Sequence, residues 1–274
     1  MVTFLRNYEE TLRSVEPTAV FQKVLLFTWF WEFSYRAIRL ICPVLKNHEK
    51  HSPERFLEVA SIKANTAFHA LVIGPMSAYA LLSNETMLKI VTYLRAFDTE
   101  ALTGNYHTFY ATESDWLPIL TPLSVAFFIW ELIYLNRWEV FDLAMVFHHV
   151  FAIVAWPLAL CNGLANFFLL AYQASELSSP LIHIRWFART FFGTGALWMF
   201  TTLTFALLFT AIRVVTIPHV LVAYMAARPW EHEVLLLSSV ASFTLVMPII
   251  LNTFWFILIA QMGAKMVCPK KKKA

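Results

Sequence analysis

Charge is scarce in this chain: 14% of its 274 residues are Asp, Glu, Lys or Arg, against about 25% in a usual soluble protein. With 59% hydrophobic residues, a soluble domain could not hide its apolar surface, because single cores stop growing near roughly 250–300 residues. The excess must face lipid. Glycine is nearly as scarce, at six residues, so close pairing of helices through small-residue motifs is not the organising principle. No glycine-rich phosphate or dinucleotide loop is present, and no Gly-x-Ser-x-Gly nucleophile elbow. Three cysteines, Cys42, Cys161 and Cys268, are too few and too scattered for a disulfide framework or a zinc site. Without a dense acidic cage, neither a metal nor a resident cofactor is expected. The net charge of +3 comes largely from C-terminal lysines and gives no reason to expect nucleic acid. The first twenty residues carry Glu and Arg where an apolar h-region would stand, so a cleaved leader is not expected.

What the chain does have is long apolar runs with twenty-five Phe and ten Trp, rings that pack on acyl chains and anchor at headgroup level. About nineteen residues are needed to cross the hydrocarbon layer as a helix, and about seven candidates appear. They run Val20–Val44, Phe56–Leu82, Trp116–Tyr134, Phe141–Cys161, Ala165–Ile184, Phe192–Ile217 and Val234–Met262. The fifth is the weakest, bounded by Gly163 and Pro180 and containing Gln173 and Glu176. Backbone groups cannot stay unpaired in lipid, so the fold class is all-α, a polytopic membrane bundle.

Orientation follows from Lys and Arg in the short connections. Lys46, Lys50 and Arg55, then Arg137, then Arg185 and Arg189 in a His183–Thr190 turn, and finally Lys270–Lys273 fall on one face if the spans number seven. That face is then cytosolic and the amino terminus lumenal. The longest loop, Ser83–Asp115, is acidic and lies opposite, and its Asn84-Glu85-Thr86 matches a glycosylation sequon. Cys161 would sit across the membrane from Cys42 and Cys268; a free thiol is the expectation for Cys268, with palmitoylation beside the lysine run as the alternative. Lys271 and Lys272, four and three residues from the end, match the dilysine pattern read by the COPI coat, so retrieval to the endoplasmic reticulum is expected, with a plain positive-inside anchor as the alternative. The organisation read here is 1–55 (amino terminus, first span and cytosolic loop), 56–263 (six-helix bundle) and 264–274 (lysine-rich tail).

Ionisable groups within spans cost roughly 2.5–3.5 kcal/mol each on insertion scales, so each should face protein or a watery cavity. Asp142, His148 and His149 belong to the fourth candidate span. Asp142 and His149, seven apart, share one helix stripe, while His148 is rotated by roughly 100°. Histidine suits proton transfer near neutral pH, and equally suits a buried hydrogen bond between helices. Asn166, Gln173, Glu176 and Pro180 form a polar line in the fifth span, and Glu176 is followed by Ser178 and Ser179. Asn65, Thr66 and His69 form a further patch in the second span, and Arg213 lies in the sixth. Convergence of these groups would give a polar interior in an apolar shell, a cavity suited to an amphipathic lipid. Glu32 and Arg36, four apart in the first span, have the spacing of an ion pair within one helix.

His148-His149, followed by Glu176-Leu177-Ser178-Ser179-Pro180 and Arg185-Trp186-Phe187, resembles the TLC domain, and Phe68-His69-Ala70-Leu71-Val72-Ile73-Gly74 resembles its start. The resemblance spans about residues 56 to 263 and is closest to TLC-domain-containing proteins of the transmembrane protein 56 kind. It implies a helical bundle enclosing a membrane-embedded cavity for an acyl chain. Ceramide synthases of that family pair a double histidine with a later His-Asp; only His148-His149 has a counterpart here. Ala171, Tyr172 and Gln173 stand where the later pair would be, which leaves the acidic role to Glu176.

Three functions are then expected in competition. The first is a lipid-binding or lipid-regulating protein of the endoplasmic reticulum, with His69, Asn65, Asp142, Gln173, Ser179 and Arg213 lining its cavity. The second is an acyltransferase using acyl-CoA as co-substrate, with His148 or His149 as base or acyl carrier and Glu176 orienting it. The third is a receptor for cargo leaving the endoplasmic reticulum, which rests on the dilysine tail and family analogy.

Overall fold

The computed structural model describes residues 15–41, 53–104, 114–138, 143–161, 166–226 and 235–267. Asp142, Lys271, Lys272, Cys42 and Cys268 lie outside them, as does the side chain of Arg137. Among the described residues there is no strand. Five helical stretches are long and apolar enough to cross a membrane: Glu54–Ser83, Leu117–Tyr134, Leu143–Cys161, Ala196–Val222 and Val246–Ala264.

The helices are α1 (Pro17–Ile41), α2 (Pro53–Ser83), α3 (Glu85–Ala96), α4 (Thr99–Gly104), α5 (Leu117–Trp138), α6 (Leu143–Cys161), α7 (Asn166–Ala174), α8 (Pro180–Phe192), α9 (Ala196–Phe209), α10 (Ile217–Ala226) and α11 (Leu235–Val267). A 3-10 turn, Ser175–Ser178, joins α7 to α8, and a π-helical stretch, Thr210–Thr216, joins α9 to α10. Two of the expected spans fall outside the five. α1 has the length, at 25 residues, but carries Lys23, Glu32, Arg36 and Arg39. The fifth expected span is three pieces. Pro180 brings no N–H to the helix, and the Ser175 and Ser178 hydroxyls donate to the Tyr172 and Ser175 carbonyls, so the chain tightens into a 3-10 turn there. The expected His183–Thr190 turn lies within α8, and much of the expected Ser83–Asp115 loop is α3 and α4. Asn84 caps α3, its Oδ1 accepting from the Thr86 and Met87 amides, which commits the sequon's side-chain oxygen to the backbone.

α5 is the axis of the bundle. Val125, Ala126, Phe127, Phe128 and Trp130 are all buried, and α1, α2 and α6 pack around it. α6 divides its faces in the manner of a membrane helix: Val150, Val154 and Leu158 point outward, while His149, Ala152, Trp156 and Leu160 point in. Pro122 in α5 leaves the Pro118 carbonyl without its helical donor, and Lys23 Nζ of α1 supplies one at 2.9 Å. Trp31 Nε1 donates to the Leu123 carbonyl at 2.9 Å, and these two bonds tie α1 to α5.

Candidate functional site

Two polar stripes face one another across α2 and α5. On α5, Thr121, Ser124, Phe128 and Glu131 recur at helical spacing and are all buried. On α2 the matching positions are Thr66, His69 and Ser77. At one end Thr66 donates to Glu131 Oε1 at 2.7 Å. At the other, Gln173 of α7 bridges the two helices, donating to Thr121 Oγ1 at 2.9 Å and accepting from Ser77 at 3.3 Å. The two helices are therefore antiparallel, and the seam between the bridges is roughly 15 Å long at 1.5 Å per residue.

Inside that seam lie two buried polar atoms, His69 Nε2 and Ser124 Oγ, that have no hydrogen-bond partner among the described residues. The His69 ring stacks flat on Phe127 at 3.9 Å and 9°, and meets the edges of Trp31 and Phe128. An unsatisfied buried polar atom costs roughly 1–3 kcal/mol, so two in one seam mark a place where something polar belongs.

His149 occupies the Glu131 end. Its Nε2 lies 2.8 Å from Glu131 Oε2 and its Nδ1 2.8 Å from the Met145 carbonyl. Both ring nitrogens are engaged, which leaves His149 no lone pair for a substrate. His148 points elsewhere, its ring meeting the edges of Phe128 and of Trp255 from α11.

Glu176 stands in the 3-10 turn that packs on α2, where Arg213 holds it. Arg213 Nη2 donates to Glu176 Oε1 at 2.9 Å and to Ser179 Oγ at 2.9 Å, and its Nε donates to Ser178 at 3.1 Å. Two local features make this possible. Gly74 of α2 lets the 3-10 turn approach so closely that a Cβ there would lie 2.7 Å from the Leu177 amide nitrogen. The widened π turn, in which Ile217 donates to the Ile212 carbonyl and the Thr216 hydroxyl to that of Ala211, brings Arg213 inward to 6% exposure.

The site residues expected from the sequence thus divide into groups. His69, Gln173, His149 and Glu176 all reach the interior, with His69 and His148 in electrostatic reach of Glu176. His149 and Glu176 do not bond each other. Asn65 faces α1, accepting from Ser34 at 2.7 Å and donating to the Trp31 carbonyl, so it pins helices together. Ser179 and Arg213 serve the Glu176 network.

Two residues escaped the sequence reading. Glu131 partners His149, and its signal was available: a carboxylate in the middle of the run Phe127-Phe128-Ile129-Trp130-Glu131-Leu132-Ile133. His183, expected in a turn, lies on α8 within electrostatic reach of Glu131, Glu176 and His69. Despite these histidines and glutamates, no three His, Cys, Asp or Glu among the described residues converge closely enough to hold a metal ion.

A family model described as the TLC domain matches residues 61–261 of the chain. No curated protein and no solved structure matches it.

Proposed function

From the premise that this chain belongs to the TLC-domain family, we propose that it is a membrane lipid-binding protein whose α2–α5 seam receives the polar head of a lipid. The observation that carries this reading is a pair of buried atoms, His69 Nε2 and Ser124 Oγ, that have no hydrogen-bond partner among the described residues and lie between two satisfied bridges. A hydroxyl, amide or ester of a lipid head would complete both, and the acyl chains would lie among the surrounding rings. The dilysine pattern at Lys271 and Lys272 supports residence in the endoplasmic reticulum with a cytosolic carboxyl terminus. The arrangement favours binding over acyl transfer because His149 is bonded through both nitrogens and Glu176 is held by Arg213.

One observation favours a second reading. His148 makes ring contacts and lies in electrostatic reach of Glu176 and Arg213. In an acyltransferase taking acyl-CoA as co-substrate, His148 rather than His149 would be the base or acyl carrier.

Mass spectrometry of lipids carried by the detergent-purified protein separates the two. His69→Phe/Ser124→Ala keeps the ring stacking and removes both polar atoms; it should lose the lipid that the wild type retains. A lipid complement unchanged in that variant would overturn the seam. An acylated histidine that vanishes in His148→Ala/His149→Ala would instead establish acyl transfer.

A further inference from the structure

A second polar site opens at the rim of the bundle, apart from the α2–α5 seam. Glu32, Tyr35, Arg36 and Arg39 of α1, Glu58 of α2 and Tyr134 of α5 line a cavity of about 350 Å³. Its position is fixed by where the helices end. Arg39 lies in the last turn of α1, Glu58 close to the start of α2, and Tyr134 about one turn before the end of α5. These are the depths at which tyrosine and arginine meet lipid headgroups. On the same helix, Phe33 and Leu40 are 72% and 80% exposed, which provides an apolar wall beside the cavity for an acyl chain.

The charges within it are unequal in commitment. Glu32 is fully engaged: Trp130 Nε1 donates to it at 3.1 Å, Tyr134 Oη at 2.7 Å and Arg36 Nε at 2.7 Å. The Arg36 charge is thereby balanced. Among the described residues Arg39 reaches only the Tyr35 hydroxyl, at 3.4 Å, no carboxylate lies within ion-pair distance of it, and no cation lies within ion-pair distance of Glu58. One cation, Arg39, and one anion, Glu58, are left without an ion-pair partner among the described residues, beside two tyrosine rings.

We propose that this rim cavity binds a zwitterionic phospholipid, with the phosphodiester on Arg39 and the choline or ethanolamine nitrogen toward Glu58 and the tyrosine rings. A guanidinium is the natural partner of a phosphodiester, and a carboxylate with aromatic faces that of a quaternary ammonium. An anionic headgroup would satisfy Arg39 and leave Glu58 repelling it. α1 lies outside residues 61–261, so the site joins the family domain to a helix that precedes it.

The test is the thermal unfolding of the full chain in detergent, titrated with phosphatidylcholine, phosphatidylglycerol or free phosphocholine. Phosphatidylcholine should raise the midpoint most. Arg39→Gln and Glu58→Gln should each weaken its apparent affinity by roughly ten-fold, the loss of one charge-assisted contact. In a His69→Phe/Ser124→Ala background, whose seam no longer takes a lipid head, Arg39→Gln should still weaken the phosphatidylcholine response that remains, which separates the rim from the seam. A phosphatidylglycerol response as large as that of phosphatidylcholine overturns the proposal, as does free phosphocholine acting as well as the whole lipid. If neither Gln variant folds, the comparison of lipids on the wild type decides alone.

Discussion

The Glu131 carboxylate stands 2.8 Å from His149 Nε2, while its other oxygen accepts from Thr66 at 2.7 Å, so α2, α5 and α6 meet at one side chain. Removing one partner of a buried pair strands the other, at a cost of about 3–5 kcal/mol. Glu131→Ala should fall in that range in reversible unfolding of the detergent-solubilised protein. Glu131→Gln retains groups able to bond both Thr66 and His149 and should lose less than half as much. Equal losses in the two variants would mean that hydrogen-bond geometry is not what holds the three helices.

Gly74 presents two opposed effects that magnitudes can rank. Replacing a helical glycine by alanine gains roughly 0.5–1 kcal/mol through chain entropy. At this position the new methyl would meet the Leu177 backbone at 2.7 Å, and a backbone atom cannot rotate away. Overpacking of that kind costs about 1–3 kcal/mol, so Gly74→Ala should be net destabilising. It should also displace Glu176, whose carbonyl carbon lies 3.0 Å from the same methyl, and loosen its pairing with Arg213. A stabilised Gly74→Ala protein would show that the turn moves aside freely.

The bond from Lys23 to the Pro118 carbonyl substitutes for the donor that Pro122 lacks. Lys23→Met should cost roughly 1 kcal/mol, the net worth of an ordinary hydrogen bond. In a Pro122→Ala background the restored amide takes over the carbonyl, and Lys23→Met should then cost almost nothing. The double-mutant cycle reads this coupling directly. Additive effects would leave the lysine as a solvated surface charge with no tie to α5.

The membrane bundle was legible from composition because lipid imposes one rule on every residue: apolar outside and helical throughout. The run Phe68–Gly74, the double histidine and Glu176–Pro180 carried the family resemblance. Three of their residues, His69, His149 and Glu176, do reach the interior. Spacing within one helix, however, states which residues share a face and nothing of which helix that face meets. Reading Glu176 as the partner of His149 followed from their being the acid and the base in view. Glu131 stands on α5, and its alignment with α6 is a fact of packing.

Sequence by itself determined that this chain must be helical in lipid and must shelter a set of polar groups, because both follow from transfer energies summed along the chain. Tertiary structure decided their pairing. The Gly74 approach, the 3-10 turn before Pro180 and the π turn around Arg213 each shift a side chain by a fraction of a helical turn. Such shifts exceed the reach of a hydrogen bond and are invisible to periodicity, so only the assembled bundle could assign His149 to Glu131, Glu176 to Arg213, and no described partner to His69 Nε2.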